Sequence, residues 1–314
     1  MTDPYEVLTV GRVGVDLYPE QPGPLAEVRT FGKFLGGTAT NVAVAAARLG
    51  RRSAVVTKVG DDGFGPFVRS ALAGFGVDPR FVGTHPTLRT PVVFCALDPP
   101  EDPPLLFYRE PMAPDLTISI DEVPLDAVRD AGVFWVTGTG FSAEPSASAH
   151  HAALAARGRR PHTVLDLDYR PMFWPSPDAA RAALEPILDQ VTVVVGNRAE
   201  VEVAVGTADP DAAADRLLER GAALALVKKG GEGVLVATAD GRSTVPPVPV
   251  RVVNGLGAGD AFGGALCHGL LAGWRPDRIA AYANAAGAIV ASRLACADAM
   301  PTDEEIRAQF EEVR

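Results

Sequence analysis

Runs of β-branched residues alternate along this chain with alanine-rich stretches of helical period, and that alternation limits the fold more than any other feature. Strand-like runs fall at 7–10, 53–59, 133–137, 163–168, 192–195, 224–228 and 234–237. Several are apolar at every position, as strands covered on both faces are. Helical patterns lie between them, at 40–49, 66–75, 146–157, 178–190, 211–220, 261–273 and 277–294. Strand–helix alternation implies βα crossovers, hence an α/β fold with a doubly wound, mainly parallel sheet. We read residues 1–314 as a single domain on this pattern.

Two segments break the rhythm, at about 12–35 and 86–117. They are rich in Pro, Gly, Thr and aromatic residues and lack a helical period. Strand-like pieces at 29–34, 91–97 and 105–108 are divided by turn formers such as Asp98-Pro99-Pro100. Two such insertions in a regular α/β chain predict a small β-sheet lid over the main sheet.

The segment richest in chemistry is Asn254-Gly255-Leu256-Gly257-Ala258-Gly259-Asp260, which runs straight into a helical pattern. With little or no side chain at Gly257, Ala258 and Gly259, backbone N–H groups can face a ligand. The positive end of a helix dipole adds to them, which suits a phosphate or a developing anion. Asp260 beside that site is placed to take a proton from an attacking hydroxyl. The competing reading is a glycine turn with Asp260 as an ordinary N-cap. A dinucleotide fingerprint fails on spacing, because Asp260 or Phe262 stands where its third glycine belongs. A nicotinamide oxidoreductase is therefore disfavoured, and the Walker pattern is absent.

A second cluster, Gly36-Gly37-Thr38-Ala39-Thr40-Asn41, also precedes a helix. Its glycines would let a polyol approach the backbone, and Asn41 offers both donor and acceptor. Asp16, a few residues after the first strand, can accept from two vicinal hydroxyls. The acids Asp166 and Asp168 are expected on one face of a strand.

Composition narrows the partners. The chain carries 39 Asp+Glu against 29 Lys+Arg, a net charge of −10, which disfavours nucleic acid. With 47% hydrophobic and 22% charged residues, wholesale disorder is excluded. Cys95, Cys267 and Cys296 are too scattered for a disulfide framework and read as buried thiols of a reducing compartment. The start lacks a basic and apolar leader, and the most apolar late stretch (279–297) carries Asn284, Ser292 and Arg293. A cytoplasmic location with no membrane partner is expected. The five histidines show no metal-ligand spacing.

Three motifs in order, Gly36-Gly37-x-x-x-Asn41, Asn197-Arg198-Ala199-Glu200 and Gly257-Ala258-Gly259-Asp260, resemble those of the ribokinase-like (PfkB) sugar kinases over nearly the whole chain. Three further segments are most similar to the branch of that family acting on 5-dehydro-2-deoxygluconate, with 2-keto-3-deoxygluconate kinases next. They are 11–19, Phe107-Tyr108-Arg109 with Ala113-Pro114-Asp115-Leu116, and 166–174. The resemblance implies ATP-dependent phosphorylation of a primary hydroxyl, with Asp260 as base and the amides of Gly257, Ala258 and Gly259 as anion hole.

It further implies that Asp16, Gly36, Gly37 and Asn41 hold the sugar. Asn197, Lys228, Gly230, Gly231, Gly233, Gly257, Gly259 and Asn284 line the nucleotide, and Asn197 with Glu200 meets Mg²⁺ through water. Tyr108 and Arg109 fall where related keto-acid kinases meet a carboxylate, and Arg170 faces either that carboxylate or a phosphate. Many members carry an acid where this chain has Asn254, which leaves activation by a monovalent cation doubtful. A homodimer paired through the lid is implied. The rival readings are 2-keto-3-deoxygluconate, fructose or a nucleoside as acceptor, and a non-catalytic sugar or nucleotide sensor.

Overall fold

Every residue of the first strand is buried, which requires cover on both faces and neighbours on both edges. A computed structural model of the chain describes residues 3–21, 23–101 and 103–312. The strands are β1 (Val7–Val10), β2 (Gly14–Pro19), β3 (Phe31–Gly36), β4 (Ser53–Gly60), β5 (Val77–Asp78), β6 (Val82–His85) and β7 (Val92–Cys95). They continue as β8 (Leu105–Tyr108), β9 (Val133–Thr137), β10 (Thr163–Asp166), β11 (Val193–Asn197), β12 (Leu224–Lys228), β13 (Val234–Thr238) and β14 (Gly241–Val245).

The main sheet runs in the order β14-β13-β12-β11-β10-β9-β1-β4-β5, with β6 also on β4. From β12 across to β5 and β6 all pairs are parallel, and only β13 and β14 run antiparallel. Alternate residues of one strand feed opposite cores. Val7, Trp135, Val164 and Val193 pack toward the helices Thr38–Arg48, Ala258–Leu271 and Pro276–Ala291. Leu8, Phe134, Leu165 and Val194 pack toward Ser146–Arg157, Pro177–Leu188 and Pro210–Glu219. The expected α/β, doubly wound architecture is present.

The two irregular segments supply a separate four-stranded sheet, β3-β2-β7-β8. Strand β2 had no signal of its own, because Gly14, Asp16 and Pro19 interrupt its apolar pattern. β14 (GRSTV) and the helix Asp303–Glu312 are also absent from the periodicity. Four of the five β14 residues are exposed, so no apolar alternation was needed there.

One boundary changes the chemistry. The run expected at 163–168 ends as a strand at Asp166, and Asp168 follows with φ of 34°. The two acids therefore do not share a strand face. No helix among the described residues is long and apolar enough to cross a membrane.

Candidate active site

Parallel strands leave their carboxyl ends along one rim of the sheet, where connecting loops collect ligands. Here β1 ends before Gly11-Arg12, β10 before Asp168-Tyr169-Arg170, β11 at Asn197 and β12 at Lys228. The helix Ala258–Leu271 points its first turn at the same rim.

That helix begins at Ala258, three residues earlier than its apolar period indicates, with Gly257 as cap at φ 80°. A β-carbon on Gly257 would lie 2.9 Å from Cys296 Sγ, so both conformation and space call for glycine. Asp260 thereby falls inside the first turn and makes no capping bond, which removes the ordinary N-cap reading. Among the described residues the amides of Gly257, Ala258 and Gly259 donate to no carbonyl. They are open donors at a positive helix end.

Asp260 Oδ2 instead accepts from Asn41 Nδ2 at 2.7 Å. Asn41 stands in the first turn of Thr38–Arg48. The two helices approach closely: a β-carbon on Gly264 would meet Ala45 Cβ at 2.3 Å, and one on Gly263 would meet Val42 Cγ2 at 3.0 Å. Burial raises Asp260 above the usual carboxylate range, and the Asn41 bond opposes that rise.

Asp16 reaches the same cleft from β2. A β-carbon on Gly36 would sit 2.2 Å from its carboxyl carbon, and one on Gly37 (φ 100°) would strike the Arg12 carbonyl at 2.5 Å. Gly36 is thus the wall against which the acid lies, and Gly37 leaves room for the link between β1 and β2. Burial, reinforced by the charge of Asp260 and opposed by Arg12, pushes Asp16 up to about 7.

The cleft that holds Asp16, Gly37, Asn41 and Asp260 also holds Arg12, Arg109, Arg170 and Phe107. Arg109 Nη2 donates to Asp115 Oδ2 at 2.8 Å, and Arg170 Nε donates to Asp168 Oδ1 at 3.0 Å. Although burial raises Asp168, the guanidiniums of Arg12 and Arg170 hold it down at about 2. Tyr108 does not join this group. Strand alternation turns it to the opposite face of β8, where it is 64% exposed, and directs Phe107 into the cleft. The expectation that Tyr108 joins Arg109 in the cleft is therefore not met, and Phe107 is the β8 aromatic residue that lines it.

Toward β11 and β12 the cleft opens onto Asp166, Asn197, Glu200, Lys228 and Gly230, and it shares Thr38, Arg170, Gly257 and Asp260 with the first region. Burial carries Asp166 well above the carboxylate range despite Lys228. Burial also pulls the Lys228 ammonium down, but Glu200, Asp166 and Asp260 outweigh it and the net shift is upward. Asn197 and Glu200 cap one another: Asn197 Oδ1 accepts from the Glu200 amide at 3.0 Å, and Glu200 Oε2 accepts from the Asn197 amide at 2.7 Å.

A longer groove follows, lined by Lys228, Gly230, Gly231, Gly233, Val250, Gly259 and Asn284. Asn284 Nδ2 donates to the Pro246 carbonyl at 2.8 Å and so ties down one wall. Asn254 is wholly buried, donates to the Leu294 carbonyl and accepts from the Leu256 amide; both ends of its amide shape the loop before the helix.

Arg12 and Asp168 were missed as site residues in the sequence reading. The available signal was positional: a charged residue two positions after the end of a fully buried parallel strand.

A profile of the pfkB family carbohydrate kinases matches residues 5–303. The 5-dehydro-2-deoxygluconokinase of Clostridium tetani (strain Massachusetts / E88) is 31% identical over 313 residues, spanning 97% of this chain and 92% of the relative. The protein of the same name from Geobacillus thermodenitrificans (strain NG80-2) is 30% identical over 319 residues, spanning 99% and 94%. Among solved structures, Xylella fastidiosa fructokinase with bound ATP superposes with a TM-score of 0.86 at 26% identity, over 98% of this chain and 99% of that one. A candidate ribokinase II from E. coli in complex with ATP and Mg²⁺ gives 0.89 at 25% identity, over 98% and 99%.

Proposed function

Because this chain belongs to the pfkB family of carbohydrate kinases, we propose that it transfers the γ-phosphoryl group of ATP to the terminal hydroxyl of a sugar acid, 5-dehydro-2-deoxy-D-gluconate being the best candidate. Phosphoryl transfer to a sugar hydroxyl follows from the family. The acceptor and the residue roles are this proposal. The observation that carries it is the order of groups along one continuous cleft: Asp16, Asn41 and three arginines, then the open amides beside Asp260, then Lys228 and the glycine-lined groove.

In this reading Asp16 and Asn41 orient the acceptor's hydroxyls, with Gly36 and Gly37 giving them room. Asp260 removes the proton from the attacking oxygen. The Gly257, Ala258 and Gly259 amides and Lys228 receive the charge of the moving phosphoryl group, where positioned dipoles act most strongly. Gly230, Gly231, Gly233 and Asn284 border the nucleotide. Arg109 takes the acceptor's carboxylate, a group for which a guanidinium has matched geometry.

Magnesium fits through water. Asn197 Oδ1 and Glu200 Oε2 are already engaged, so Glu200 Oε1 is the oxygen left to a hydrated ion. When bound with ATP the ion would neutralise phosphate charge. Asn254 offers a monovalent cation no carboxylate.

The small sheet acts as a lid that keeps water from the phosphoryl group. Its outer face carries Leu106 and Tyr108, 50% and 64% exposed, beside Phe31 and Phe94. A second copy would cover these residues in a homodimer. The enzyme is taken as one cytoplasmic kinase domain.

The test is a panel of acceptors with ATP, followed by ADP release. Sugar acids should exceed fructose, ribose and nucleosides in kcat/KM, with 5-dehydro-2-deoxy-D-gluconate first. A neutral sugar in first place would overturn the acid reading. A protein that binds sugar and ATP without turnover would be the sensor instead.

A further inference from the structure

Two arginines stand where the main chain passes between the two sheets. Arg12 lies in the three-residue link from β1 of the main sheet to β2 of the small one, and Arg109 follows β8, the last strand of the small sheet. Both guanidiniums lie near one ring, with Arg12 Cζ 5.7 Å and Arg109 Cζ 4.9 Å from the centroid of Phe173, and both line the same cleft. Phe107 from the small sheet packs edge-on against that ring at 5.1 Å.

The direct ion pairs are unevenly shared. Asp168 is divided between Arg12 and Arg170, and Asp115 serves Arg109. Among the described residues three guanidiniums thus pair with two carboxylates, while Asp16 and Asp260 line the same cleft without an ion pair to any of them. Arg12 is 7% exposed and spends only Nη2, on Thr38 Oγ1 at 2.5 Å and Asp168 Oδ2 at 3.0 Å. Its Nε is buried without an acceptor, and among the described residues Nη1 has none either. Arg109 likewise spends only Nη2. An enclosed guanidinium short of acceptors is costly unless an anion completes it.

We infer that Arg12 is a specificity-determining residue, which together with Arg109 clamps the carboxylate of the acceptor between the main sheet and the small sheet. The inference rests on the sugar-acid reading and sharpens it. Arg12 discriminates acid from neutral acceptor, and the carboxylate ties the two connecting segments together. Arg170, which borders the phosphate end of the cleft as well, is left to the phosphoryl group.

The experiment compares kcat/KM for a sugar acid and for its alcohol counterpart, with CH₂OH in place of the carboxylate, in wild type and in Arg12→Gln. The wild-type arm tests the acid reading alone, since a wild type that prefers the alcohol defeats that reading whatever the variant does. In Arg12→Gln the acid-over-alcohol ratio should fall about 100-fold, the range expected for a lost charged hydrogen bond, over and above any loss common to both acceptors. A parallel fall for both acceptors would mean that Arg12 only supports Asp168, and an unchanged ratio would remove it from recognition; either overturns the inference. Should Arg12→Gln fail to fold, Arg12→Lys keeps a charge beside Asp168 but loses the planar fork, and its ratio should fall about tenfold. An unchanged ratio there overturns the inference equally.

Discussion

Asn41 Nδ2 donates to Asp260 Oδ2 across 2.7 Å and so joins the first turns of two helices. The bond favours the ionised acid, against burial that favours the neutral one. Asn41→Ala should therefore lower kcat by about 10-fold to 100-fold and move the acidic limb of the kcat–pH profile to higher pH. Asp260→Asn should lower kcat by about 10²–10⁴ with ATP binding kept. Stopped assays of ADP release across pH check both; a limb that stays in place in Asn41→Ala would reduce Asn41 to a sugar contact.

Asp16 gives a second pH dependence. With its carboxyl at about 7, acidification protonates a hydrogen-bond acceptor, so kcat/KM for the acceptor should decline below about pH 7 and Asp16→Asn should lack that decline. The stability effect has the opposite sense. A carboxyl whose folded pKa lies above its unfolded value holds its proton more tightly when folded, so its contribution is full below about pH 4 and is lost as pH rises through about 7. Asp16→Asn should accordingly gain in Tm relative to wild type at pH 8 and not at pH 4.

Lys228 sits among Glu200, Asp166 and Asp260, and its Nζ is 3.3 Å from where a β-carbon on Gly259 would stand. Lys228→Met removes a cation that stands beside the open amides. The KM for ATP should rise and kcat should fall, together about 100-fold or more in kcat/KM, while acceptor binding measured without nucleotide is unaltered. Equal losses for both ligands would point to a collapsed site.

The outer aromatic face of the small sheet predicts assembly. Leu106→Glu with Tyr108→Glu places charges on strand positions that are 50% and 64% exposed, so folding should be spared. Sedimentation should show a homodimer for wild type and a monomer for the double variant. A wild-type monomer at micromolar concentration would refute pairing through this face.

The main sheet was legible because its strands are apolar on both sides, a pattern that few other environments produce. β2 was not, since Gly14, Asp16 and Pro19 break its pattern, and Asp16 faces a cleft rather than a core. The glycine loop and Asp260 could be read from spacing, but the start of the helix at Ala258 could not, because Gly257 supplies a backbone conformation that no apolar period encodes. Tyr108 was misplaced for a simple reason. A one-residue step along β8 exchanges the faces of the sheet, and neighbouring aromatic residues carry no sign of which one turns inward. Arg12 needed the third dimension: its partners Thr38 and Asp168 are 26 and 156 residues away.

The glycine and alanine contact between the helices Thr38–Arg48 and Ala258–Leu271 makes the protein's interior the ruler for its chemistry. The separation of the two backbones that carry Asn41 and Asp260 is set by main chain pressed on main chain, where Gly264 meets Ala45 and Ala46. A scaffold so built cannot easily retune its reacting end for a new alcohol. A change of diet would have to be written elsewhere, in the few strands of the small sheet that border the far side of the cleft.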